Sequence, residues 1–205
     1  LRIVFTTSRN GDARIAVMDA DGSNLVVLGV AGEGPKWSPD GSQVVFEASR
    51  TIWVMNADGS NVAALADGLR PDWSPDGRLI AFDRRDPNRC FFVFCHEDLY
   101  VMDPTGKEVR RLITDGACPA WSPDGTRIAY SFFFVGLFVA NADGSGRRQI
   151  AGAEAGCPVW SPDGAAIAYP GSAPNDTELT LIPSGGGPGV VLVSSPGSEY
   201  PTSWK

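Results

Sequence analysis

The chain is short of the residues on which most catalytic sites depend. It has one histidine, His96, and three methionines among 205 residues. No serine or cysteine sits in a recognisable nucleophile motif that His96 would serve. Basic charge is scarce as well: 17 Lys and Arg stand against 24 Asp and Glu, for a net charge of −7. Nucleic acids and anionic membrane surfaces select basic patches, so neither is an expected partner. Long apolar runs are missing too. The longest, Phe132–Ala140, has nine residues, against the roughly 20 of a spanning helix. Neither a leader-like segment nor an initiator Met opens the sequence at Leu1, which reads as a mature or trimmed chain.

What is abundant is turn chemistry. The chain holds 24 Gly and 16 Pro yet is 43% hydrophobic, which describes a globular, turn-rich single domain over residues 1–205 and excludes disorder. The pentapeptide Trp-Ser-Pro-Asp-Gly occurs four times, at Trp37–Gly41, Trp73–Gly77, Trp121–Gly125 and Trp160–Gly164. The steps between copies are 36, 48 and 39 residues. A period near 40 built from short β-type segments is that of a β-propeller, one blade per repeat.

The second repeat serves as the type. Pro35-Lys36-Trp37 is a short inner strand, and Ser38-Pro39-Asp40-Gly41 has the residues of a type I turn, with Pro presetting φ. Gln43–Glu47 and Thr51–Asn56 are rich in β-branched and aromatic residues and form strands two and three. Ala57-Asp58-Gly59-Ser60 carries an Asp-Gly hairpin signal before the outer strand Asn61–Leu65. The same outer hairpin recurs at Val17–Asn24, Val101–Lys107 and Val139–Gly146, and in degenerate form at Leu181–Gly189. Five outer hairpins and four pentapeptides leave the first blade without an inner strand. Tyr200-Pro201-Thr202-Ser203-Trp204 has the composition to supply it.

The expected fold is therefore all-β, a five-bladed β-propeller of four-stranded antiparallel blades. Pairing of the C-terminal strand with the N-terminal blade closes it, which removes open sheet edges. The blades map to residues 1–28 plus 200–205, 34–66, 70–113, 118–151 and 157–194.

The pattern Pro-x-Trp-Ser-Pro-Asp-Gly, then Ile-Ala-Phe/Tyr, then Val-Met-Asn/Asp-Ala-Asp-Gly resembles the repeat of the TolB-like propellers, and it covers essentially the whole chain. The resemblance implies a fold used as a protein-binding scaffold, as an accessory domain of peptidases and, more rarely, as a lyase.

Most motifs have structural readings. Asp40, Asp76, Asp124 and Asp163 of the pentapeptides are turn builders. Asp19–Asn24 begins like a calcium loop but has no downstream bidentate Glu, and Gly185–Gly189 is a loosened hairpin with no following Lys to cradle phosphate. Neither a cofactor nor a metal is expected, and no catalytic residue is assigned. Cys90-x4-Cys95-His96 is a longer-spaced form of a haem-attachment sequence, and a zinc site drawn from the cysteines and His96 is conceivable. Both are minor alternatives.

The informative departures are the loops between strands two and three. They are short and polar in blade 2 (Ala48–Arg50) and polar in blade 5 (Pro170–Glu178). Blade 3 carries an insertion, Arg84–Glu97, with Phe91, Phe92 and Phe94, and blade 4 places Phe132, Phe133 and Phe134 at the equivalent point. Three readings stand: an exposed apolar patch for a partner protein, membrane-protein complexes included; two clusters covering each other as a local core; or insertion of the tips into a bilayer. The cysteines lie on the same face. Cys90 and Cys95 bracket the blade 3 aromatics, and Cys118 and Cys157 stand three residues before a motif Trp in neighbouring blades. Pairing 90–95 and 118–157 is expected, with four buried thiols as the alternative. The resulting functional expectation is a non-catalytic scaffold or accessory subunit of an extracytoplasmic (periplasmic or secreted) complex. A carbohydrate- or peptide-binding propeller using the channel mouth comes second, and an enzyme-associated or haem-bearing propeller is more distant.

Overall fold

The computed structural model describes residues 1–8, 12–91, 94–152, 155–173 and 176–195. Among them are nineteen strands and no helix, grouped in five antiparallel sheets that form the blades of a propeller ring. Blade 1 comprises β1 (Arg2–Thr7), β2 (Arg14–Asp19) and β3 (Val26–Ala31). Blade 2 comprises β4 (Glu33–Trp37), β5 (Gln43–Ala48), β6 (Thr51–Asn56) and β7 (Ala63–Asp67). Blade 3 follows with β8 (Leu69–Trp73), β9 (Ile80–Phe91), β10 (Phe94–Met102) and β11 (Arg110–Ile113). Blade 4 is β12 (Ala117–Trp121), β13 (Arg127–Phe132), β14 (Gly136–Asn141) and β15 (Arg148–Ala151). Blade 5 is β16 (Val159–Trp160), β17 (Ala166–Ala173), β18 (Asp176–Pro183) and β19 (Val190–Ser195). The strand assigned from sequence to close blade 1, residues 200–205, lies outside the described residues.

The pentapeptide builds the turn its residues call for. In blade 2 the Gly41 amide donates to the Ser38 carbonyl at 2.9 Å, while the Ser38 hydroxyl donates to Asp40 Oδ1 at 2.6 Å and accepts from the Gln43 amide at 2.9 Å. Blades 3, 4 and 5 repeat the serine-to-aspartate bond at 2.6 Å through Asp76, Asp124 and Asp163. Hydrogen bonds from Ser38 and Ser42 hold the Asp40 carboxyl down at about 2, and Asp124 is lowered equally, Ser122 being the main cause.

The hydrophobic core is not central but sits between consecutive blades. One cluster joins Ile15 of blade 1 to Val44, Phe46 and Met55 of blade 2, and a second joins Val45, Ile52 and Val54 to Trp73, Ile80, Phe82 and Met102. A third packs Leu99, Val101 and Ile113 against Trp121, Ile128 and Tyr130; a fourth packs Leu137, Val139 and Ile150 against Trp160, Ile167 and Ile182. Each motif Trp thus wedges under the preceding blade. At the rim, a leucine of one blade seats on the Asp-Gly turn of the next. Leu28 lies against Gly59 and Leu112 against Gly144, where an added Cβ would stand 3.1 and 2.6 Å from its nearest neighbour. Both glycines also have φ above +80°, so a side chain there meets both strain and contact.

Antiparallel alternation sends the pentapeptide and Asp-Gly turns to one end of the blades. The hairpins joining strands two and three project from the other end, and there blade 3 differs from the sequence expectation. Residues 84–97 read as an inserted loop, but β9 and β10 continue through most of it, with Glu97 opposite Arg85 and Cys95 opposite Cys90. A hairpin ladder satisfies the backbone groups that an irregular loop would leave to solvent.

Candidate functional site

On the hairpin face, one repeat position precedes the proline that leads to each motif Trp: Gly34, Arg70, Cys118 and Cys157. At three of them the backbone turns left-handed, with φ of +57° at Gly34, +51° at Arg70 and +55° at Cys118. Glycine takes this conformation freely, whereas an L side chain costs about 1 kcal/mol or more. The turn aims the amide at the preceding blade. Arg70 N donates to Glu47 Oε2, and Cys118 N donates to Asp83 Oδ2 at 2.7 Å. Between blades 4 and 5 the polarity reverses, and the Ser131 hydroxyl donates to the Gly156 carbonyl. Glu47, Asp83 and Ser131 each follow the aromatic residue of strand two, so one repeat position latches blade to blade.

Blade 3 elaborates this latch into an ion network. The Arg70 guanidinium donates to Asp83 Oδ2 through Nε at 2.7 Å and to Glu97 through Nη2. Arg85 Nε reaches Glu97 at 3.4 Å; Arg89 pairs with Asp86, Asp98 and Asp115; Arg111 Nη1 donates to Asp98 at 3.2 Å. His96 donates from Nδ1 to Asp115 at 2.7 Å. Burial pushes the Asp83 carboxyl up to about 7, against the pull of Arg70 and with some help from Glu97. Its Oδ1 is buried with no hydrogen-bond partner among the described residues.

The aromatic tip of blade 4 leans over this network. The Phe133 ring lies 5.6 Å from the Arg70 guanidinium carbon, a cation–π contact, and the Phe132 ring lies 6.3 Å from that of His96. Phe132 is half-buried and also meets Phe138 at 6.5 Å. Phe133 is 41% and Phe134 76% exposed, and Phe134 has a left-handed φ of +64°. The Val135 amide donates to the Phe132 carbonyl, closing a tight hairpin loop in which glycine or asparagine is the ordinary choice at the left-handed position. Of the blade 3 aromatics, Phe92 and the side chains of Phe91 and Phe94 lie outside the described residues. Their strands pair at Phe94 opposite Phe91.

All four cysteines are bonded. Cys90–Cys95 ties the two strands of the blade 3 hairpin together, and Cys118–Cys157 staples the inner strands of blades 4 and 5. Where blade 4 meets blade 3 through the Cys118 amide on the Asp83 carboxylate, blades 4 and 5 are joined by a covalent link. Among the described residues no three His, Cys, Asp or Glu side chains gather as a metal site, and the buried carboxylates face guanidinium groups. The arrangement can therefore hold a rigid surface and present it.

Sequence reasoning reached the aromatic loops and the cysteines but not the ion network. Its signal was the repeat alignment itself, which places an Arg where blade 2 has Gly34, and acids at an interior strand position.

The architecture defines a β-propeller. No protein-family model and no curated protein matches the sequence. Among solved structures, TolB from Acinetobacter baumannii superposes with a TM-score of 0.75 at 20% identity, over 90% of this chain and 49% of that one. An oligogalacturonate lyase from Vibrio parahaemolyticus gives 0.70 at 14%, over 97% and 64%. A chain of a nidogen/laminin complex gives 0.71 at 13%, over 100% and 81%. The fold is that of a TolB-like propeller, and the chain spans about half the length of the TolB structure it matches.

Proposed function

We propose that this propeller is a non-catalytic protein-binding scaffold or accessory subunit of an extracytoplasmic complex, and that it docks through the hairpin face of blades 3 and 4. Phe133 and Phe134 are the anchors, on the base formed by Phe132, and the sequence reading adds Phe91, Phe92 and Phe94 of blade 3 to the same proposed interface. The carrying observation is Phe134, an aromatic residue 76% exposed and held at φ +64°. Backbone strain kept for a side chain that contributes little burial is a mark of use rather than of folding. Two disulfides support an oxidising compartment, and the occurrence of a related fold in a nidogen/laminin complex supports a role in protein assemblies.

The test is Phe133→Ser with Phe134→Ser in one chain. The expected result is a fall in binding of an apolar-surface dye and in self-association, with Tm lowered by less than about 3 °C. A Tm loss of roughly 10 °C with unchanged dye binding would mean that the rings are a local core and that the docking face is elsewhere.

A further inference from the structure

The ion network beneath the aromatic tip is layered. Its carboxylates are inside, with the Asp83, Glu97 and Asp98 side chains 0, 7 and 2% exposed. Its guanidinium groups are outside: Arg70, Arg85, Arg89 and Arg111 are 31, 42, 30 and 54% exposed. Asp86 and Asp115 lie between, each engaged by Arg89. In a chain of net charge −7, the more exposed layer of this network is thus guanidinium, held by buried counter-ions, and one member, Arg70, lies 5.6 Å from the Phe133 ring. A guanidinium carries five donors. The bonds from Arg85 and Arg111 to these carboxylates each run through a single nitrogen, which leaves further donors on two side chains that are 42 and 54% exposed. Pre-fixed guanidinium groups bind carboxylates bidentately with little further loss of side-chain freedom.

Building on the docking reading above, we infer that the partner presents an acidic segment interleaved with apolar side chains, the apolar groups meeting Phe133 and Phe134 and the carboxylates meeting Arg85, Arg89 and Arg111. Charge complementarity argues for this occupant over a basic or neutral one. It also runs against the long-range repulsion of an acidic chain, so binding of an acidic ligand has to come from the local surface.

The test uses the full, disulfide-intact chain and three fluorescein-labelled peptides read by anisotropy: alternating Glu and Leu, alternating Lys and Leu, and alternating Glu and Ser. The Glu-Leu peptide is expected to bind, to weaken several-fold between about 50 and about 200 mM NaCl, and to outbind both others by at least about tenfold. Arg85→Gln with Arg111→Gln should weaken it by a similar factor, and Arg85→Lys with Arg111→Lys should keep most of the salt dependence, which guards against a simple folding defect. Equal binding of the Glu-Leu and Lys-Leu peptides, lost in the Phe133→Ser, Phe134→Ser chain, overturns the acidic-partner inference and leaves the aromatic docking reading intact. Glu-Leu binding that survives those serine substitutions overturns the docking reading itself. No binding by any of the three peptides overturns the inference.

Discussion

Arg70→Gly isolates the energetics of the blade 3 ion network, because blade 2 already carries glycine at the matching position, Gly34, with nearly the same φ. The backbone therefore accepts the change, and relief of left-handed strain is worth about 1 kcal/mol after glycine's own entropic cost. Against this, Asp83 at 0% and Glu97 at 7% exposure lose their shared counter-ion. Removing one partner of a buried ion cluster costs about 3–5 kcal/mol. The net expectation is a loss of about 2–4 kcal/mol, or roughly 5–15 °C in Tm for a chain of this size. Asp83, raised to about 7 by burial, is ionised at about pH 8 and protonated at about pH 5, so the loss should be large at the higher pH and shrink toward the lower. Urea unfolding of the parent and variant at both pH values measures it. A loss below about 1 kcal/mol at the higher pH, or one of equal size at both, would refute the buried-charge account.

Two further outcomes follow from the same geometry. Asp83 is raised above the ordinary carboxylate range to about 7 by burial, so its contribution to stability is fully present below its unfolded-state pKa of about 4 and is lost as pH rises to neutrality; Asp83→Asn should flatten the fall in urea midpoint between about pH 5 and about pH 8, and parallel curves would exclude this role. The Cys118–Cys157 bond spans 39 residues and Cys90–Cys95 spans 5, which by loop entropy gives about 4 against about 2 kcal/mol; replacing each pair by alanine should reproduce that order in denaturation midpoints, and equal or inverted losses would count against it.

The pentapeptide repeat made the fold readable because its chemistry is local. Ser38, Pro39, Asp40 and Gly41 build their turn from their own side chains and backbone, and the same four residues recur in four blades, so these turns together with the five outer hairpins counted the blades. The cysteine pairs were readable for related reasons: Cys118 and Cys157 hold equivalent positions in neighbouring repeats, which are neighbours in space, and Cys90 and Cys95 bracket a single short segment. The Phe132–Phe134 loop announced itself as an apolar run where its counterparts in blades 2 and 5 are polar. Its interpretation was open, since sequence alone does not separate a buried cluster from an exposed one.

Tertiary structure decided the rest. That residues 84–97 extend a hairpin rather than form a loop depends on the cross-strand register between β9 and β10, and register is a pairing property that no single segment contains. Arg70, Asp83 and Glu97 are spread over 27 residues and meet only because the strands of one blade lie side by side while the next blade closes over them. Burial then separated their charges into an acidic interior and a basic exterior. The sequence by itself determined the blades, since each turn is built within a few residues. Only the packing of one blade on the next decided which side chains face water, because exposure belongs to the assembled ring.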